Sequence, residues 1–544
     1  SRRSIAPIDS LAEQCQITAM NTEIQNLSVA GRKALAIQDW STVDVCAKGI
    51  LGRSKDEPEG YFLLGLVEKA SEHPKRSIAA FETALRLDDK RYDAAIELAS
   101  QLSMARRNAD VEALLSRYES ALDNSPKYLD MAGTVFTEIG MPERAWPLYV
   151  KACELQPEII LFRANKAACA AYVGEIEVAK EIYLKLLDEN PHHQRNHYLL
   201  ARLQRAQDTS HIEQMEDVLR TTNLPPERNV FLYFALGKEH EDLQLWDKAF
   251  DYYKQGGDAV NKVSNYDVEE DIAIIDKIIE VCDSSWLGSA TKPGSAPKTP
   301  LFIVGLPRTG TTLTERIIAS HSTVQSVGET EFMQMVLRRE SGIESVQKMN
   351  PAILESAASK DISILRDGYL DAVAYRLKDE PIFIDKLPFN VLYLGFIAKA
   401  WPEQPIVLMK RNPMDACFSM FKQVFTWAYK YSYDLESLAQ YYVAYDRLLR
   451  HWKDLLGERL VEVEYETLVS NQEAETRRLL AGLGLEFEEA CLDFEKNAAP
   501  STTASSIQVR EKVHTGSVGR WRRYEQQLEV LRQHLEAAGI ATEA

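Results

Sequence analysis

The residues best suited to chemistry lie in the second half of the chain. Gly305-Leu306-Pro307-Arg308-Thr309-Gly310-Thr311-Thr312 puts two glycines, an arginine and three hydroxyls into one short stretch. A loop of this kind turns backbone N–H groups toward a phosphate or sulfate at the positive end of a helix. Its glycine spacing is that of G-x-x-x-x-G-K-[ST], but Thr311 stands where that pattern has its lysine. Without that lysine, phosphoryl transfer from ATP or GTP lacks the usual cation on the β and γ phosphates. Arg308 offers a planar guanidinium fork to an anion instead. Three further stretches carry charge: Gly328-Glu329-Thr330-Glu331, Asp385-Lys386-Leu387-Pro388-Phe389-Asn390 and Lys410-Arg411-Asn412-Pro413. A carboxylate can take a proton from a hydroxyl, and a lysine or arginine can offset charge that develops as a group is transferred.

These residues need a scaffold, and the surrounding pattern predicts one. Leu301-Phe302-Ile303-Val304 reads as a buried strand, and residues 313–320 read as a helix with apolar residues at 313, 317 and 318. Further strands are expected at residues 324–327, 382–384, 405–409 and 460–466, the last from its alternation of apolar and polar residues. Ligands of open α/β sheets bind beyond the carboxyl ends of the strands, so Lys386 is expected to point into the site. Residues 284–300 are rich in Ser, Gly and Pro and mark a linker. The domain plan is therefore a helical region over 1–283, a linker, and an α/β domain of P-loop type with a mainly parallel sheet over 301–544.

The helical region is periodic. Gly133, Ala145, Tyr149, Ala152 and Pro157 recur 34 residues later as Ala167, Ala179, Tyr183, Leu186 and Pro191. Small residues permit close helix crossing, the aromatic fills the space between helices, and the proline ends the second helix. Weaker copies carry Gly65, Phe81 and Ala84, then Tyr118, Ala121 and Pro126, then Gly237, Ala249, Tyr253 and Gly256. The stretch resembles the tetratricopeptide repeat over about residues 30–260, with roughly five to seven copies at that period. An all-α superhelical array of this type presents a concave face to a peptide, a protein partner or the chain's own second half, or serves as a stacked scaffold.

At 544 residues the chain is too long for one core. Its composition, 45% hydrophobic and 26% charged, excludes disordered and fibrous classes. A net charge of −18 argues against broad binding to nucleic acid or an anionic membrane, so an anionic ligand needs a local basic pocket. No apolar run approaches the roughly 20 residues of a membrane span, and the first residues are not followed by a signal-type apolar stretch. Seven scattered cysteines without a C-x-x-C pair predict reduced, packed thiols, no metal site and a cytoplasmic protein.

The charged segments occur in the order found in PAPS-dependent sulfotransferases, and the chain resembles the group that joins tetratricopeptide repeats to a sulfotransferase domain. The family's 5′-phosphosulfate loop, P-R-[ST]-G-T-T, stands here as Pro307 to Thr312. The resemblance implies that Arg308, Thr309, Gly310, Thr311 and Thr312 hold the 5′ side of the donor. Glu329 matches the general base of the protein-tyrosine sulfotransferases, with Glu331 in reserve, and Lys386 and Arg308 match groups that stabilise the transferring sulfuryl. Arg411 and Ser419 match the clasp on the 3′-phosphate that distinguishes PAPS from ATP. Tyr465, Ser505, Arg510 and Arg520 match residues near the nucleotide. His321 is expected to close a helix-ending turn, and no metal is implied. The implied activity is transfer of a sulfuryl group from PAPS, leaving PAP, to an acceptor hydroxyl on a tyrosine of a peptide or protein, a sugar or another small metabolite. Glu331 stands where the tyrosine sulfotransferases have an arginine for acidic peptides, which weakens the case for such peptides. A P-loop kinase and an inactive repeat scaffold are the competing readings, and the array leaves protein contact or homo-oligomerisation open.

Overall fold

The computed structural model describes residues 9–122, 124–289, 298–345, 347, 349–425, 428–503 and 508–543. Among them, seven antiparallel helix pairs run from Asp9–Ala36 with Trp40–Arg53 to Val230–Asp242 with Trp246–Ser264, and the helix Val268–Val281 follows. The glycines picked out by the period are there for a steric reason. A methyl group on Gly65, Gly133 or Gly237 would come within 2.5 Å of Phe81, 2.9 Å of Tyr149 or 2.6 Å of Tyr253. In each pair the aromatic ring of the second helix packs against the glycine of the first, and both are buried.

The compact units divide inside the array. One ends at Cys169 and the next begins at Ala170, within the helix Ile160–Val173. The later helix pairs thus belong to the same unit as the sheet, whereas the sequence places a linker at 284–300. The short helix Ser284–Gly288 occupies the start of that linker. One of the apolar cores of the second unit joins Tyr198, Phe234, Phe250 and Tyr253 of the array to Phe421, Tyr433 and Tyr524. Phe250 stacks on Phe421 at 5.7 Å between ring centroids, and Tyr524 meets Phe418 at 4.4 Å. Burial of aromatics this size contributes about 1.5–3 kcal/mol each.

The sheet has five parallel strands: β1 (Thr299–Gly305), β2 (Val324–Ser326), β3 (Ile382–Lys386), β4 (Ile406–Lys410) and β5 (Leu460–Glu464), in the order β2-β3-β1-β4-β5. The three central strands, β3, β1 and β4, are largely apolar and buried because helices cover both faces, whereas the edge strand β5 alternates. Parallel order brings every carboxyl end to one edge, and β1, in the middle, has neighbours reached by crossovers in opposite directions. That is the switch point where such sheets bind ligands. The described cysteines are free and buried, and Cys15 lies outside the residues whose side chains are described. No helix among the described residues is long and apolar enough to cross a membrane.

Candidate active site

The loop after β1 is shaped by two close approaches. Gly305, at φ 152°, would put a Cβ 2.7 Å from the Met409 carbonyl on β4, and Gly310, at φ 100°, would put one 2.7 Å from the Tyr465 ring. Glycine alone fits either place. Arg308 between them takes a left-handed φ of 68°, and the Thr309 hydroxyl pins the turn by donating to the Leu306 carbonyl at 2.7 Å. The helix Thr311–Ile318 then begins two residues earlier than the apolar pattern suggests, since Thr311 and Thr312 are themselves in its first turn. Its first N–H groups have no partner within the helix and line the loop.

β3 delivers Lys386, whose register partner on β1 is Ile303. The sequence permits a surface ion pair between Asp385 and Lys386, but both side chains are fully buried and face different partners. The Lys386 ammonium makes a short contact with Glu329 and lies 3.6 Å from Glu315 Oε2. Burial, the largest influence, disfavours its charge, yet Glu329 and Glu315 outweigh it and hold the lysine above its ordinary pKa. Glu329 remains half exposed, on the turn after β2. Glu331 is exposed at the start of the helix Phe332–Ser341. Asp385 accepts from Thr330 Oγ1 at 2.5 Å, Tyr369 OH at 2.8 Å and Asn390 Nδ2 at 3.3 Å. Burial dominates over those donors and raises its pKa to about 7.

β4 delivers Arg411. One of its nitrogens donates to the Arg308 carbonyl at 2.7 Å and to Ser419 Oγ at 3.3 Å, and the other donates to the Ser517 carbonyl at 2.6 Å. The guanidinium lies 4.7 Å from the centre of the Tyr465 ring. Tyr465 is not on a strand, as the alternation implied. β5 ends at Glu464, the register partner of Lys410, and Tyr465 opens the helix Tyr465–Ser470. Ser419 sits on the helix Pro413–Phe421, whose start is capped by the Asn412 side chain. Arg308, Gly310, Arg411, Ser419 and Tyr465 therefore meet at one place.

Other residues singled out in the sequence lie elsewhere or reach less far. The Arg520 guanidinium donates to the Gly516 carbonyl at 2.6 Å. Arg510 donates to the Tyr172 carbonyl at 3.1 Å and fills the space beside Gly174, so its described contact is with the array. Ser505 lies outside the described residues. Thr312 donates to Thr503 at 3.3 Å. His321 is buried, with Nε2 3.0 Å from the Glu486 carbonyl, where it ties the turn after the loop helix.

Several residues of this region carry no linear signal. Buried Asp415 accepts from the N–H groups of Gly519 at 2.6 Å and Trp521 at 3.0 Å, fixing the closing segment. Burial, with Arg411 and Arg202 adding repulsion, draws the Arg308 pKa down to about 10. Arg202 belongs to the array helix Gln194–Leu203 and lies 5.6 Å from the ring of Tyr198, whose hydroxyl accepts from Gln423 at 3.1 Å. Lys422 is held 2.7 Å from Glu241 of the array. Phe389 and Phe425 contact Tyr429 at 6.1 and 4.9 Å between centroids, all three rings are partly exposed, and Tyr429 is near enough to Glu329 to feel its charge. Of these groups, Gln423 and Lys422 owe their partners to the later array helices.

A glycine-pinched loop, a buried lysine between carboxylates and an arginine–serine pair lie at one edge of a five-stranded parallel sheet in an α/β domain. Residues 300–489 match the family described as the Sulfotransferase family, and this region is a sulfotransferase-family domain. An uncharacterized protein of Aquifex aeolicus is 28% identical over 419 residues, covering 75% of this chain and 54% of that protein. The protein-tyrosine sulfotransferase of Drosophila melanogaster is 24% identical over 234 residues, covering 41% of this chain and 46% of that protein. The chain thus spans about half the length of these two relatives. The solved sulfotransferase domain of the Synechococcus PCC 7002 olefin synthase aligns at 16% identity and a TM-score of 0.33, covering 46% of this chain and 99% of that one.

Proposed function

We propose that this protein transfers a sulfuryl group from PAPS to an acceptor hydroxyl. The observation that carries the reading is the Lys386–Glu329 contact, whose lysine also faces Glu315 of the loop helix, together with the Arg411–Ser419 clasp on the Arg308 carbonyl of the loop. In this reading the first N–H groups of Thr311–Ile318 and the hydroxyls of Thr309, Thr311 and Thr312 receive the 5′-phosphosulfate. Arg411 and Ser419 receive the 3′-phosphate, where a guanidinium suits a dianion through charge-assisted hydrogen bonds. The acceptor oxygen forms its bond to sulfur as the bond from sulfur to the 5′-phosphate oxygen breaks. Glu329 takes the acceptor's proton, and Lys386 and Arg308 offset the charge left on the nucleotide oxygen.

Tyr429, within reach of the Glu329 charge, and the partly exposed rings of Phe389 and Phe425 that it contacts favour an aromatic acceptor, such as a tyrosine in a peptide or protein, over a sugar. The related Drosophila protein is named for that acceptor. The array is the natural element to recognise a protein that carries it.

Thermal unfolding with 3′,5′-ADP against 5′-ADP tests the donor. At 100 times its dissociation constant a ligand adds about 2.7 kcal/mol, so 3′,5′-ADP should stabilise the wild type and lose that effect in Arg411→Ala. Equal responses to both nucleotides, or none, would refute the 3′-phosphate clasp. Transfer of labelled sulfate from PAPS to tyrosine peptides and to sugars tests the acceptor. Glu329→Ala should abolish it while leaving 3′,5′-ADP binding within about twofold.

A further inference from the structure

The loop helix carries a carboxylate to which neither the loop nor the 3′-phosphate clasp gives a role. Glu315, largely buried on Thr311–Ile318, accepts the Ser326 hydroxyl at 2.5 Å through Oε1 and faces the Lys386 ammonium at 3.6 Å through Oε2. Ser326 Oγ in turn accepts the N–H of Gly328 at 2.9 Å, one residue before Glu329. Glu315 is therefore braced by the turn that presents Glu329. Its neighbour Arg316 points away, to the Asn497 and Ala499 carbonyls.

Lys386 thus lies between two carboxylates of different kinds. Glu329 is half exposed on a turn, whereas Glu315 is buried on a helix. A buried ammonium that loses its counter-ion tends to give up its proton. When Glu329 takes the acceptor's proton it becomes neutral, and this happens just as Lys386 must carry full charge beside the departing oxygen. One carboxylate cannot be proton acceptor and counter-ion at once.

We propose that Glu315 is a positioning residue that keeps the Lys386 ammonium charged and aimed while Glu329 is protonated. The inference rests on the roles given to Lys386 and Glu329 above. It divides the work between a carboxylate that changes its protonation state and one that does not.

The test uses the full chain labelled with 13C at lysine Cε, with the Lys386 resonance identified by its loss in Lys386→Arg. Glu329→Gln imitates the protonated base. In that variant Lys386 should remain fully charged at pH 9. In Glu329→Gln/Glu315→Gln it should titrate below pH 9, raising the neutral fraction at that pH at least tenfold. Ser326→Ala with Glu329→Gln, which removes the brace and no further charge, should give an intermediate shift, and it decides the matter if the double carboxylate variant does not fold. A Lys386 still fully charged at pH 9 without both carboxylates would overturn the proposal, as would a Lys386 neutralised by Glu329→Gln alone. The 3′,5′-ADP response of the same proteins reports on the donor reading separately: its absence beside a shifted Lys386 titration would strike that reading and leave the lysine–Glu315 coupling standing. Where transfer is measurable, Glu315→Gln should lower kcat at least tenfold with 3′,5′-ADP affinity within twofold.

Discussion

The two stretches of the helical array are built from the same repeat but spend their polar residues differently. Up to Cys169, polar side chains pair with those of neighbouring repeats: Arg32 with Glu59, Lys69 with Glu97, Arg144 with Glu119, and Asn165 with Asp130. From Ala170 onward pairs within the array continue, as in His211 with Glu239 and Lys262 with Glu227, but other groups reach the sheet side. Glu241 holds Lys422, Tyr198 receives Gln423, the Tyr172 carbonyl receives Arg510, and Asn261 donates to the Tyr433 carbonyl. The first pattern stacks a solenoid on itself, and each repeat needs only its neighbours. The second ties the last repeats to the sheet. Sequence periodicity is blind to that difference, because it reports the helix–helix core that both stretches share.

The largest expected effect separates the two. Lys422→Met strands the largely buried Glu241 carboxylate and should cost about 3–5 kcal/mol of opening free energy across residues 170–281. Amide hydrogen exchange reads that region by itself. A loss below about 1 kcal/mol would mean that the later repeats are held by apolar packing alone.

The next concerns acid. His197 is buried, with Nδ1 2.9 Å from His211 Nε2 and Nε2 2.7 Å from the Pro191 carbonyl, while His211 reaches Glu239 at 2.6 Å. Burial lowers the His197 pKa to about 4, against the opposing carbonyl contact and with His211 adding repulsion. A folded pKa below the unfolded value near 6.5 means stability present in full above that value and lost as pH falls toward about 4. The loss amounts to roughly 3 kcal/mol. Urea unfolding of the wild type and His197→Asn between pH 7 and 4 should show the variant with the shallower decline. Parallel curves would remove His197 as the cause.

A third prediction concerns what the stretches share. Gly133→Ala and Gly237→Ala each force a methyl into an aromatic ring and should cost about 1–3 kcal/mol in their own regions. Unequal losses by hydrogen exchange would show that one stretch absorbs overpacking better. The smallest effect belongs to Arg144→Met, whose ion pair with Glu119 is partly exposed and should contribute no more than about 1 kcal/mol by denaturant unfolding.

Much of the fold was legible because local rules decide it. The 34-residue period named the glycines and aromatics that interlock, since a helix pair repeats its own sterics whatever surrounds it. The strand, loop and helix from β1 to Ile318 were readable for the same reason: the glycines answer to backbone geometry, and the apolar run answers to burial on both faces. Strand ends were less legible. Tyr465 continues an alternation that the sheet does not continue, because the pairing with β4 stops at Lys410.

The sequence by itself determined the helical array, the parallel α/β class and the resemblance to a sulfotransferase domain, all written in short-range spacing. Tertiary structure alone decided that Glu315 and Ser326 stand behind Lys386 and that Asp415 fixes the closing segment. It alone also decided that Tyr198 and Glu241 of the array meet Gln423 and Lys422. Those residues come from segments far apart in the chain, and only the closing of one core, with its demand that every buried charge find a partner, brings them together.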